Sequence, residues 1–264
     1  MKLNQELIAS GLKHVASHAR ADDPGYVPEA LAYIAEGRGN RSACLRGLEG
    51  LHEAKSSYAW FGLGDLAACK QHAYTATKIH CINAKEFGID FMRVEDFFWA
   101  LLSDHAGLID WCASMEPNSY WIKYLQKPNH FMGSVYQLNL AVRGDWEPLR
   151  QRAEQLLEIQ PPKLKKYLVD QRFYLALANA DMAGMQEALT ELTSPKMARL
   201  RNDELGFAFT APFIGTHATT YAKIAWRHGF KLQVDTPYIP AEFLPVQALG
   251  HYEDPYPFMQ VYPV

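Results

Sequence analysis

With 264 residues and 48% hydrophobic content, the chain is long enough for one large or two small domains with a buried core. A formal charge of −3 and a pI of about 6.4 exclude a nucleic-acid binder that depends on a broad basic field. The longest apolar runs, such as Phe97-Phe-Trp-Ala-Leu-Leu102, fall far short of the ~20 residues a membrane helix needs, and Lys2, Asn4, Gln5 and Glu6 leave no room for a secretory signal, so the expectation is a cytoplasmic protein without a membrane partner.

In chain order, Leu3 to Arg20 reads as an amphipathic helix, with Leu3, Leu7, Gly11 and Val15 at helical spacing, and Asp22-Asp-Pro-Gly25 breaks it. Pro28 to Glu36 makes a second, short helix, and Gly37-Arg-Gly-Asn40 interrupts. From Leu45 to Lys85 a helical pattern stops at Gly62-Leu-Gly-Asp65 and another begins at once. Leu48, Leu51, Tyr58 and Phe61 fall near one face of the first helix; Leu66, Cys69, Ala73, Ala76 and His80 fall on one face of the second. Gly64 suits the left-handed position that ends a helix, and Asp65 has the short acceptor side chain that caps the next. The segment is an antiparallel helical hairpin, with Tyr58, Trp60, Phe61 and Tyr74 as its interior.

Val94 to Leu108 forms an aromatic-rich helix that Ile109 to Met115 continues, and Pro117-Asn-Ser119 and Pro128-Asn129 bound a short connection. The hairpin grammar returns at Tyr136 to Ile159, divided by Gly144-Asp145, and at Tyr167 to Leu192, divided by Ala180-Asp181, with Pro161 and Pro195 following. A small residue plus Asp, a second amphipathic helix and a closing proline resemble the tetratricopeptide pattern. Met197 to Leu205 and His217 to His228 are the last helices, separated by the apolar stretch Gly206 to Gly215, the one place for a strand or buried loop. Lys163, Lys165 and Lys166 read as a solvated helix start. From Asp235 the composition changes to six prolines, six Phe or Tyr residues, four acids and no lysine or arginine, which makes an extended tail. The fold expected is all-α: stacked antiparallel hairpins in one domain over 1–234, with an acidic, Pro/aromatic-rich tail over 235–264 packed on the domain or on a partner.

Chemistry is sparse. Cys44, Cys69, Cys81 and Cys112 have no C-x-x-C spacing and read as reduced core thiols. His14 and His18, at i and i+4, have a metal-compatible spacing but no H-E-x-x-H context, so an exposed pair is the reading. Asp104 and His105, with Glu95 and Asp96 upstream, are adjacent on a helix and point apart, so the carboxylate does not orient the imidazole. His80 reads as a satisfied core histidine. Asp203, Glu204 and His217 flank the apolar stretch and are the best residues for an enzymatic cleft, yet no nucleophile or phosphate-loop motif accompanies them. No catalytic residue, cofactor or metal is assigned, and the chain is read as a binding protein. In the tail, Tyr252, Glu253, Asp254, Tyr256 and Phe258 combine aromatic anchors with acids, a surface suited to a basic partner. The alternative is that the tail folds back to cover the open end of the stack.

Tyr58-Ala-Trp-Phe-Gly-Leu-Gly-Asp65, followed by Lys70, Tyr74, Ala76 and Lys78, resembles the central helical segment of the immunity protein 49 family, antitoxins of bacterial polymorphic toxin systems. Ala222-Lys-Ile-Ala-Trp-Arg-His-Gly229, leading to Pro237-Tyr-Ile-Pro240 and Phe243-Leu244, is similar to the way such proteins end. The resemblance implies an all-α protein that binds and blocks a cognate toxin delivered by a neighbouring cell and encoded by an adjacent gene; it supplies no toxin-contacting residues. Two other readings are a helical-repeat scaffold or regulator that binds a peptide or protein, and a helical hydrolase built on Asp203, Glu204 and His217.

Overall fold

The computed structural model describes residues 4–19, 25–88, 94–115, 127, 131–202 and 207–264. Among the described residues there are twelve α-helices and no strand, so the fold is all-α. They are α1 (Gln5–Ala19), α2 (Tyr26–Glu36), α3 (Arg41–Phe61), α4 (Leu66–Phe87), α5 (Val94–Ser103), α6 (Ala106–Ser114), α7 (Phe131–Arg143), α8 (Trp146–Ile159), α9 (Leu168–Ala178), α10 (Met182–Leu192), α11 (Pro195–Asn202) and α12 (Thr216–Arg227). The chain divides into two compact units: Asn4–Ile89 with Trp99–Cys112 and Gln247–Val264, and Met1–Leu3 with Asp90–Phe98 and Ala113–Val246.

The first unit is organised by the α3–α4 hairpin. The pairs Arg41–Glu86, His80–Glu49, His52–His72 and Ser56–Cys69 step along the two helices in opposite senses, which makes the hairpin antiparallel. Its turn follows the sequence closely. Gly64 is left-handed at φ 70°, its N–H reaches the Trp60 carbonyl at 2.8 Å, and the Asp65 carboxylate accepts from the Ala68 N–H at 2.9 Å. At the other end of the pair Asn40 caps α3 through the Ala43 N–H at 3.0 Å. Helices α1 and α2 pack on α3. Gly47 permits that approach, because the Tyr26 hydroxyl lies 1.5 Å from where a Cβ would stand. Ala30, Ile34, Leu45, Leu48, Ile79 and Ile82 form the core beneath, which Tyr256 and Met259 complete from the far end of the sequence.

The expected continuous helix from Val94 to Leu108 is broken. Asp104 adopts a left-handed conformation at φ 59° and ends α5, and α6 starts two residues later. The cause is tertiary: the buried Asp104 carboxylate turns to Lys70 Nζ at 2.8 Å, a position helical geometry would not give it. His105 then caps α6, its Nδ1 accepting from the Leu108 N–H at 3.0 Å.

The second unit holds the other two hairpins. Gly144 is left-handed at φ 78° between α7 and α8, but Asp145 does not cap α8; its carboxylate takes Arg143 Nε at 2.7 Å. Between α9 and α10 the left-handed residue is Ala180, at φ 54°, and Asp181 caps α10 through the Gly184 N–H at 3.0 Å. Pro195 opens α11 where the hairpin grammar expected a closing proline. The core of α9 and α12 stacks Phe173 on Tyr221 at 5.0 Å, and beside it Arg201 donates to Asp170 at 2.7 Å, both side chains buried. Residues 207–215 form turns with Phe207, Phe213 and Ile214 buried. Glu204, Asp203 and Gly206 lie outside the described residues, as do Pro117 to Ser119 and Pro128–Asn129.

Ala180 occupies a conformation that costs a residue with a Cβ about 1 kcal/mol or more. Ala180→Gly is therefore expected to stabilise the protein by roughly 0.5–1 kcal/mol after the loss of chain entropy is set against the relief. Urea unfolding at constant slope measures the change.

Candidate functional site

Helix α4 carries Lys70, Tyr74, Lys78, Ile82 and Glu86 at successive i+4 positions, so they form one stripe along its surface. Residues 247–262 run along this stripe in the same direction as the helix. The stripe spans about 24 Å at 1.5 Å per residue, while fifteen extended residues reach about 50 Å, so the segment cannot be straight. It is gathered by a 3-10 turn over Pro257–Val261 and by the Tyr252 hydroxyl, which accepts from the Leu249 N–H at 2.9 Å and donates to the Ser103 carbonyl.

The contacts begin at Lys70, whose ammonium donates to the Asp104 carboxylate at 2.8 Å and to the Gln247 carbonyl at 2.7 Å; the same carboxylate accepts from the Gln247 N–H at 3.1 Å. Gln71 reads the backbone of Glu253 in both directions, donating to its carbonyl at 2.9 Å and accepting from its N–H at 3.0 Å. Lys78 donates to both oxygens of Asp254, at 2.9 and 2.7 Å, and Tyr74 donates to the same carboxylate at 3.0 Å. Burial and the Asp254 charge both push the Tyr74 phenol upward in pKa, so it remains a donor. At the far end Tyr262 donates to Glu86 at 2.8 Å, and Arg41 closes on Glu86 with two bonds of 2.6 and 2.8 Å. The hydrogen bonds from Arg41 are the main cause that lowers the Glu86 pKa.

The five tail residues expected to meet a partner therefore differ in position. Tyr252 packs against Tyr74 at 4.8 Å and His105 at 5.0 Å; Asp254 faces Lys78; Tyr256 is buried, with its hydroxyl 2.8 Å from His52 Nε2; Phe258 stacks on Tyr256 at 5.6 Å and lies under Arg41 at 5.8 Å. Glu253 is held by its backbone, and its side chain is exposed. The sequence contained the signal for this arrangement, lysines at i and i+8 on the same helix face as Tyr74 and Ile82, but an exposed reading of any lysine is the default.

The Nδ1 atoms of His52 and His72 lie 3.1 Å apart across the hairpin, behind Tyr256. Burial, then His72, then Lys55 bring the His52 pKa down to about 3; burial and then Lys55, partly opposed by Asp65, bring His72 to about 4. Both imidazoles are thus neutral partners that order Tyr256.

His14 and His18 are exposed with ring centroids 4.6 Å apart. His80 Nδ1 is 2.7 Å from the Glu49 carboxylate. The Sγ atoms of Cys81 and Cys112 lie 3.5 Å apart in the core, and burial pushes the Cys69 thiol up to about 12. His217 is buried against Phe207 at 4.9 Å, and burial drives its pKa well below the ordinary value. Asp104 and His105 serve separate structural ends, Asp104 on Lys70 and His105 as the cap of α6, although the continuous helix from which their divergence was expected is broken at Asp104.

The family model for immunity protein 49 matches residues 93–243, more than half of the chain. The chain belongs to the immunity protein 49 family. No curated protein and no solved structure matches it, so the tetratricopeptide likeness rests on the turn pattern alone. The immunity protein 49 match contains Ala222 to Gly229 and extends through Phe243, whereas the α3–α4 hairpin and residues 247–264 lie outside it. No helix among the described residues is long and apolar enough to cross a membrane.

Lys78 is almost fully buried and Asp254 is about a quarter exposed, with side-chain exposures of 1% and 24%. Asp254→Asn leaves a buried cation without its carboxylate and is expected to cost about 3 kcal/mol, more than Lys78→Met, which leaves a carboxylate that water can reach. The double variant should be more stable than Asp254→Asn alone, as a double-mutant cycle of urea midpoints will show. The His52–His72 pair makes the stability depend on pH. Unfolded histidines take up protons near the ordinary value of 6.5, while folded His72 and His52 resist to about 4 and 3. Stability is therefore fully present above pH ~6.5 and declines as pH falls toward 4. Urea midpoints between pH 7.5 and 4.5 should slope accordingly, and His72→Gln should flatten the slope.

Proposed function

We propose that this protein neutralises a cognate bacterial toxin by binding it directly. The observation that carries the reading is the immunity protein 49 match over residues 93–243. The geometry supports binding over chemistry. The histidine nearest to an enzymatic role in the sequence, His217, is buried and held neutral, and Asp104, the carboxylate next to His105, is engaged by Lys70. In this reading the toxin is encoded by an adjacent gene and belongs to a polymorphic toxin system, and the two proteins meet in the cytoplasm.

Of the five tail residues singled out in the sequence, Glu253 is the one with an exposed acidic side chain, and we assign it the contact with a basic toxin surface. Tyr252, Asp254, Tyr256 and Phe258 act by fixing the backbone that presents it. An exposed rim charge governs association rate and salt dependence more than dissociation.

Co-expression with the product of the adjacent gene tests the function. Rescue of growth together with co-purification is the expected result; toxicity unrelieved by co-expression of a folded protein would refute the reading. For the contact, Glu253→Lys is expected to weaken toxin association by roughly 3- to 10-fold at low salt without moving the thermal midpoint. Unchanged association would remove Glu253 from the interface while leaving the neutralising role intact.

A further inference from the structure

The α4 stripe has the features of a receptor for a peptide. We propose that the α3–α4 hairpin is a binding site for extended acidic segments, and that residues 247–264 are the ligand it carries in cis. The inference concerns the hairpin alone and does not depend on the toxin reading.

Three kinds of recognition meet there. The first is charge: Lys78 is buried to 1% side-chain exposure, and its ammonium faces Asp254. With the segment in place this cation is out of water, so a chain that covers the stripe must bring a carboxylate to it. The second is backbone: Gln71 pairs with both the N–H and the carbonyl of Glu253, and Lys70 takes the Gln247 carbonyl. These bonds run from side chains of the helix to the backbone of the segment, so they would hold an extended chain whatever its own side chains. The third is shape. Tyr252 lies against Tyr74 and His105, Tyr256 reaches His52, and Met259 is fully buried in the cluster of Ala30, Ile34, Leu45, Leu48, Ile79 and Ile82. The ligand chemistry is thus an aromatic residue, a carboxylate two positions on, a second aromatic two beyond that and an apolar residue three further.

The occupant is joined to what precedes it through an exposed stretch, Pro245, Val246, Gln247 and Ala248. Its hold on the stripe runs mainly through side chains, those of His52, Gln71, Lys78 and Trp111 among them, and among the described residues no continuous backbone ladder ties it in. A segment held in this way is separable. It masks the stripe in cis, and a partner's segment of the same chemistry would compete for it.

The test cleaves the full chain at a protease site inserted between Val246 and Gln247, which keeps every residue present. The eighteen residues 247–264 are expected to co-elute with the cleaved body and to exchange with a fluorescent synthetic copy, giving saturable anisotropy. An unlabelled copy with Asp254→Asn should compete at least 30-fold less well than the unaltered one. Departure of the segment without rebinding of the labelled copy would overturn the proposal. So would equal competition by the Asp254→Asn peptide. If the cleaved protein precipitates, the uncleaved Asp254→Asn chain, whose own segment is weakened, should capture the labelled copy at least tenfold better than the unaltered chain; equal or absent capture by both overturns the proposal.

Discussion

Two lysine ammoniums buried on one helix face set the terms for half of this molecule. Lys70 and Lys78 stand eight residues apart on α4, each with no more than 4% of its side chain exposed. Lysine is among the residues least often buried, because removing an ammonium from water costs several kcal/mol unless a carboxylate and further hydrogen bonds replace the solvent. Asp104 answers the first and Asp254 the second. To do so, Asp104 leaves helical geometry and separates α5 from α6, and Asp254 brings a proline-rich segment back along α4 from 176 residues away in sequence. The break in one helix and the course of the final segment are consequences of the same requirement.

Polar pairing of this kind specifies placement more than it adds stability. Apolar contacts supply much of the attraction, with Met259 and Tyr256 completing the core of α2, α3 and α4. Those contacts alone would tolerate a slip along the helix. The spacing between Gln247, Glu253, Asp254 and Tyr262, read against Lys70, Gln71, Lys78 and Glu86, fixes one register. The neutral His52 adds a further condition, since Tyr256 meets an uncharged imidazole only while that ring refuses a proton.

What could be read in the sequence was local. Gly64 and Asp65 announced a helix end and a helix start through conformational and capping chemistry that acts within four residues, and both behave accordingly. The same logic held at Asp181 and missed at Asp145, where Arg143, two residues away, competes for the carboxylate. Ser103, Asp104 and Gly107 are weak helix formers that mark a place where a helix can end, but what draws the Asp104 carboxylate aside is Lys70, 34 residues earlier. The tail was legible as acidic, aromatic and irregular, but its chemistry suits an intramolecular and an intermolecular partner equally. Only the position of Lys78 decides where Asp254 goes. The family resemblance drew partly on Tyr58 to Lys78, yet the matched residues begin at 93, so the late segment around Ala222 to Phe243 is where that resemblance and the family match coincide.

The central claim is that residues 247–264 form part of the folded structure of the α3–α4 unit and are fixed to it by the buried Lys78–Asp254 pair. Native-state hydrogen exchange tests this most directly, because it compares the opening of the two segments in the unaltered protein. The account predicts that the Met259 and Tyr262 amides, each bonded to a carbonyl three residues back, exchange far more slowly than in an unfolded chain and accelerate in Asp254→Asn. Exchange of those amides at unfolded-chain rates while α4 stays protected would contradict it.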